Sequence, residues 1–268
     1  MYHPEIQALD SLANDLYAEG KTKEATQCQL KAGRLQQSLI KPNGRRYLNA
    51  QWVWAYGHIG LLQMLIRWSL SSTASTRLVL ESQGRINNPY FLKVLEPYIT
   101  IVDRLPSEMA EEAQTNAVYF ACPDGIHSIH NFYKMVNQCT PRLPLTPPDV
   151  SPLLAKIGVE RPFTALHARH FSHDRKRNIS LQAVKDAIAG LPNVVSIGLD
   201  DHPINDFVPN VKDEPNPWLA SFQLSAACDQ FIGSNSGAWT VADAYGKAVT
   251  LMNDHEHKAW IYPEEIDE

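Results

Sequence analysis

The chain has no apolar run of the roughly 20 residues that a membrane span requires. Its longest apolar stretch, Ile59 to Leu70, is broken by Gln63 and Arg67. It also lacks a basic start followed by an apolar stretch and a small-residue cleavage site: it opens Met1-Tyr2-His3-Pro4-Glu5, so no secretory signal is expected. Cysteine is scarce. The four present, Cys28, Cys122, Cys139 and Cys228, show no CxxC spacing, which predicts buried free thiols in a reducing cytoplasm. Nor is there an excess of basic charge. With 24 Lys and Arg against 29 Asp and Glu the formal net charge is −5, and no basic stripe exists to release counterions from a nucleic acid. What is present is a globular balance, 44% hydrophobic and 20% charged residues, enough to bury a core. At roughly 150 residues per domain the length fits one large domain or two small ones.

Residues 5 to 40 read as two short helices around a turn at Gly20, with Leu9, Leu12, Ala13 and Leu16 on one face and Ala25, Leu30 and Leu35 on the next. The pattern Leu12, Tyr17, Gly20, Glu24, Ala25, Ala32 resembles one tetratricopeptide hairpin. A single copy cannot stack into a solenoid, so a helical cap on the body of the protein is expected. From Gln51 short apolar runs alternate with helical stretches. The reading places strands at Gln51–Tyr56, Thr76–Glu81 and Ile99–Val102, with a turn at Gly57-His58-Ile59-Gly60 leading into a helix to Leu70 and a second helix at Asn88–Tyr98. Helical residues follow near Ser107–Ala113 and Ile126–Cys139. Between Cys139 and Pro162 five prolines interrupt the pattern, at 141, 144, 147, 148 and 152, and mark a linker.

Beyond it a second alternating set begins, with strands at Phe163–His167, Val194–Leu199, Gln230–Ile232 and Ala248–Met252. The helices between them are expected at Leu181–Leu191, Trp218–Cys228 and Gly237–Tyr245. Strands alternating with helices imply parallel sheets. The expected architecture is α/β: a helical hairpin over residues 1–45 and two Rossmann-like lobes, 46–150 and 151–268, facing across a cleft.

The stretch Phe231-Ile232-Gly233-Ser234-Asn235-Ser236-Gly237-Ala238-Trp239 places a Gly/Ser/Asn loop between a buried strand and a small-residue helix, and Gly246-Lys247 closes the unit. Exposed amides at that helix start suit a phosphate or diphosphate, with Ser234, Asn235 and Ser236 adding hydrogen bonds. The competing reading is that Ser and Asn cap the helix. At the end of the first strand of this same second half, alternation puts His167 and Arg169 on one side, at the carboxyl edge where ligands of open parallel sheets bind.

These segments resemble GT-B fold glycosyltransferases. The Gly233 to Val249 stretch looks like the donor-side signature of ADP-heptose heptosyltransferase-like enzymes, with Ala248 where proline usually stands, and His167-Ala168-Arg169 is similar to the H-x-R element of fucosyltransferase-like members. The resemblance is piecewise over roughly residues 50 to 255. It implies a glycosyltransferase that takes its sugar from a nucleotide-diphosphate donor. Ser234, Asn235, Ser236 and Gly237 would bind that donor, His167 would stand beside them, and Arg169 would clamp the diphosphate as charge grows on the leaving group. It implies no metal and no cofactor.

The acceptor, a glycan or a protein, needs a base. His58 is the candidate, with binding of acceptor or capping of the helix as its alternatives; Asp124, His127 and His130 are a second choice. Other polar groups admit plain readings: Arg175, Lys176 and Arg177 as a solvated turn, Asp200-Asp201 as a turn before Pro203 or a ribose contact, and Asp254 to Lys258 as a solvated segment. Two further readings stay open. One is a noncatalytic nucleotide- or sugar-binding module. The other is a metal hydrolase using His167, His170 and His173, although their spacing would share a face only in a helix.

Overall fold

A computed structural model describes residues 4–39, 44–71, 77–118, 132, 135–137, 140–170, 178–198, 201–234 and 236–252. Two compact units divide after Arg142. Each is built on its own four-stranded sheet, and among the described residues every strand pairing is parallel. Among the described residues no helix is long and apolar enough to cross a membrane.

The first unit opens with helices α1 (Pro4–Ala18) and α2 (Thr22–Leu39). Gly20 turns the chain between them at φ +77°, a left-handed conformation that glycine adopts without steric cost. Ile6, Ala13, Ala25 and Ala32 are buried. Between the helices Tyr17 Oη donates to Gln29 Oε1 at 2.9 Å and lies 3.2 Å from Thr26 Oγ1. Burial raises the tyrosine's pKa. At Gly33 of α2 a Cβ would collide with Met135 and sit 3.1 Å from Trp68, so the absent side chain allows α2 to lie close against the core.

The sheet follows as β1 (Arg45–Leu48), β2 (Arg77–Glu81), β3 (Thr100–Val102) and β4 (Ala117–Val118), in the order β3-β2-β1-β4. Three helices connect the strands: α3 (Tyr56–Ser71), α4 (Pro89–Leu95) and α5 (Ala110–Thr115). Asn88 starts α4 by accepting the Phe91 amide, with Pro89 in the first turn where its missing N–H costs nothing. Helix α3 is apolar nearly all round, with Ile59, Leu62, Leu65, Ile66 and Trp68 buried, as befits a helix inside a core.

Two expectations are corrected in this unit. Gln51–Tyr56 is not a strand: Asn49 caps a 3-10 turn at Ala50–Val53, and consecutive burial of Trp52 and Val53 breaks the alternation a strand needs. The strand lies earlier, where Arg45 and Arg46 hide it. Gly57-His58-Ile59-Gly60 is accordingly the first turn and a half of α3 and not a loop.

Arg67, which in sequence only interrupts an apolar run, is buried in α3. Its guanidinium donates to Pro141 O at 3.0 Å, Asn137 Oδ1 at 2.9 Å and Thr140 O at 2.8 Å. One side chain thereby satisfies the backbone that follows helical residues 135–137.

The second unit begins with α6 (Ser151–Ile157), which corrects the reading of this stretch as proline linker alone. Pro152 falls in the first turn, where proline is tolerated, and Gly158 ends the helix at φ +72°. The unit then runs β5 (Thr164–His167), α7 (Leu181–Ile188), β6 (Val194–Ser196), α8 (Pro217–Ala227), β7 (Gln230–Gly233), α9 (Ala238–Ala244) and β8 (Ala248–Leu251), with sheet order β6-β5-β7-β8. Ser180 and Asn216 cap α7 and α8 through the amides of Ala183 and Leu219. In both sheets the chain starts at an inner strand, builds to one side, then returns to the other side of that first strand. The order therefore reverses between β1 and β4 and between β5 and β7.

Arg67→Lys retains the charge but loses the planar fork, leaving buried carbonyls without donors. It is expected to lower stability by about 3 kcal/mol, read as an earlier midpoint in urea unfolding.

Candidate functional site

The second sheet reverses its order between β5 and β7, and ligands of open parallel sheets bind outside the carboxyl ends at such a point. The two strands meet there in the register His167↔Gly233. A Cβ on Gly233 would lie 2.7 Å from the His167 carbonyl oxygen and 3.0 Å from the His167 Cβ, so only glycine permits the approach. Ser234 then stitches the two chain ends together. Its amide donates to His167 O at 2.8 Å, its hydroxyl donates to the same oxygen at 3.2 Å, and that hydroxyl accepts the Arg169 amide at 2.8 Å. Ser234 is fully buried, so its hydroxyl is engaged inside the protein. These bonds give Ser234 a scaffolding role between the two chain ends.

Ser236, half-buried, points its hydroxyl at His167: Oγ lies 3.0 Å from Nδ1. It does not cap α9, whose N-cap is Gly237 with no side-chain bond, so the capping alternative fails for this residue. Arg169 is 8% exposed, and its backbone amide is held by the Ser234 hydroxyl. His167, Arg169, Ser234, Ser236 and Gly237 thus come together at one edge of one sheet. Asn235 lies outside the described residues, as do Asp124, His127, His130, His173, Arg175, Lys176, Arg177, Asp200 and the stretch Asp254 to Lys258.

Further along this edge Asp201 forms an ion pair with Lys212, whose proximity lowers the carboxyl's pKa. His170 stacks edge-on against His202 at 5.7 Å. His202 accepts the Ile204 amide at Nδ1 and donates from Nε2 to Ile179 O, so its ring is committed to the backbone. Among the described residues no group of three or more His, Cys, Asp or Glu side chains is placed to hold a metal ion.

In the first unit His58 is the third residue of α3, half-buried, with Nδ1 2.6 Å from the Gln51 carbonyl oxygen. A carbonyl only accepts, so Nδ1 carries the proton and Nε2 carries the lone pair. Desolvation by burial lowers this imidazole's pKa, and the hydrogen bond to Gln51 opposes that shift.

No protein-family model matches the chain, and no curated protein shows significant sequence similarity to it. In structure it is similar to the iron-containing dodecameric glycosyltransferase TibC of enterotoxigenic E. coli, at 15% identity and a TM-score of 0.48 over 79% of this chain and 58% of that one. It is also similar to the dodecameric iron-containing heptosyltransferase TibC in complex with ADP-D-β-D-heptose, at 16% identity and a TM-score of 0.50 over the same shares, 79% and 58%. The chain thus spans 58% of the length of those it matches. At this identity the likeness is one of fold.

Two outcomes test the geometry. Gly233→Ala forces backbone apart where no flexible side chain can give way, and is expected to cost about 2 kcal/mol, measured by urea denaturation. For His58, the folded chain resists protonation, while the unfolded chain takes up the proton at the ordinary value of 6.5. Acid should therefore destabilise the native state increasingly as pH falls through that value. His58→Asn keeps a donor for Gln51 O and removes the titration. Between about pH 7.5 and pH 5.5 it is expected to lose less stability than the wild type.

Proposed function

We propose that the chain is a cytoplasmic, metal-independent glycosyltransferase of GT-B type, moving a sugar from a nucleotide-diphosphate donor to a glycan or protein acceptor. The observation that carries this reading is the grouping of Arg169, His167 and Ser236 at the carboxyl edge where the second sheet reverses its strand order. The fold likeness to a heptosyltransferase structure in complex with a nucleotide sugar, at a TM-score of 0.50, supports it.

In the proposed reaction the acceptor hydroxyl attacks the anomeric carbon of the donor sugar. The bond from that carbon to the diphosphate oxygen breaks, and its electron pair leaves on the diphosphate. Arg169, always charged and poorly hydrated in its buried setting, stabilises the charge that develops on the leaving group and supplies what a divalent cation supplies elsewhere. His167 and Ser236 contribute hydrogen bonds, and the Gly237 backbone, with no side chain of its own, leaves room for close approach. His58 Nε2 takes the acceptor's proton; its lowered pKa keeps it neutral, and so able to act as a base, near pH 7.

Nucleoside diphosphates decide the matter. ADP, UDP and GDP, screened by thermal shift, are expected to include at least one that raises the melting temperature of the wild type. Arg169→Lys, which keeps charge and most of the volume, is expected to reduce transfer from the matching donor about 100-fold with the fold retained. Binding of a nucleotide without consumption of any donor sugar would instead identify a noncatalytic module, and unimpaired transfer by Arg169→Lys would remove Arg169 from its role.

A further inference from the structure

The carboxyl edge of the first sheet carries a feature that no step of the proposed transfer uses. Trp54, in the connection between β1 and α3, is 48% exposed, although Trp52 two residues earlier is fully buried with Nε1 donating to Val118 O. The connection is not slack. Trp52 N donates to Asn49 O, Asn87 N donates to Val53 O at 3.0 Å, and His58 N donates to Ala55 O at 3.0 Å while its ring holds Gln51 O. Backbone is therefore fixed on both sides of Trp54 while its indole is left half in water.

Arg85, in the connection that leaves neighbouring β2, places its guanidinium carbon 5.8 Å from the centre of that indole. This second connection is also fixed. Arg85 N donates to Ser82 O, Gln83 N donates to Asp103 O, and Gln83 and Gly84 stand at φ +51° and +67°. A non-glycine residue in the left-handed region is uncommon and here shapes the turn that carries Arg85. Two rigid connections from adjacent parallel strands thus present a half-exposed indole with a guanidinium over its ring.

We propose that Trp54 and Arg85 form the acceptor platform and that its ligand is a pyranose ring of a glycan. A pyranose has one face of C–H groups, which packs on an indole, and a rim of vicinal hydroxyls, which a planar guanidinium meets two at a time. A peptide would need a strand edge or a groove with successive pockets. Trp54 offers a single aromatic group with a cation over its ring. Calling this ligand the acceptor rests on the transferase reading; the ring-binding site itself does not.

The experiment is saturation-transfer NMR on the full chain with the methyl glycosides of glucose, galactose and mannose, without donor, beside the nucleotide thermal shift on the same samples. At least one glycoside is expected to receive saturation at its axial ring protons. Trp54→Ala should abolish that signal, Trp54→Phe should keep part of it, and Arg85→Ala should weaken binding about threefold, while the nucleotide shift stays unchanged in all three variants. No transfer to any of the glycosides in the wild type, or undiminished transfer in Trp54→Ala, overturns the proposal. So does Trp54-dependent binding of a serine-rich peptide in place of the glycosides. If glycosides bind through Trp54 but no nucleotide binds, the transferase reading fails and the ring-binding site stands.

Discussion

At the His167–Gly233 pair the backbones of β5 and β7 come so close that a methyl group on Gly233 would lie 2.7 Å from a carbonyl oxygen. Everything at the carboxyl edge of the second sheet follows from that approach. It brings the Ser234 amide within 2.8 Å of His167 O and the Ser234 hydroxyl within 2.8 Å of the Arg169 amide, so the two chain segments leaving neighbouring strands are fastened before either becomes a loop. A fully buried hydroxyl must be hydrogen-bonded or it destabilises the fold, and Ser234 meets that demand with two bonds to the segment leaving β5. The positions of Arg169 and Ser236 are thus inherited from backbone geometry. That matters for electrostatic chemistry, in which donors fixed in advance do not reorganise when charge develops.

The same kind of reversal is used twice with different furnishing. Each sheet begins at an inner strand and reverses across it, so each offers one carboxyl edge at a reversal point. In the second unit that edge is lined by a cation, an imidazole and a hydroxyl. In the first the connection from β1 closes at once into a capped 3-10 turn and the long helix α3, which contributes an imidazole at its start and the buried Arg67 near its end. Arg67 bonds two backbone carbonyls and the Asn137 amide oxygen, whereas Arg169 follows a strand end. Two buried arginines in one chain therefore differ in kind. One replaces missing backbone donors, and the other follows the strand end where the sheet reverses its order.

Much of this was legible in the sequence. Alternating apolar and helical stretches gave two sets of parallel strands, and in the second set each strand was placed within a few residues, because Val, Ile and Phe runs there are bounded by Gly, Pro and Asn. The first set was misread at its opening. Two arginines begin β1, and an aromatic cluster just after it carries strand-like residues without strand-like alternation; the Asn49 cap decided the matter, a local hydrogen bond that composition does not reveal. Helix α6 is hidden for the converse reason: proline interrupts a helix interior but is tolerated in its first turn. At the site, residue types and order were readable but roles were not. That Ser234 faces inward and Ser236 faces His167 depends on the close approach at Gly233, which is a property of two strands and not of either segment alone.

The two histidines of the proposed reaction differ by what each Nδ1 meets. His58 meets a carbonyl oxygen, which can only accept, so one tautomer is imposed and Nε2 is the basic atom. His167 meets a hydroxyl, which can donate or accept, so its ring can hold its proton on either nitrogen as the neighbouring charge demands. A base that removes a proton once per turnover benefits from the first arrangement, because its lone pair stays on one atom. A group beside a diphosphate benefits from the second, because a leaving group that gains charge calls for donation, and the Ser236 hydroxyl can reverse its own direction to let His167 supply it. If the assignments were exchanged, the imposed tautomer would stand beside the anion with its lone pair on Nε2, and the adaptable ring would be asked to act as a base while its hydroxyl neighbour could draw its proton to either side. The hydrogen-bond partners therefore favour His58 for proton removal and His167 for stabilising the leaving group.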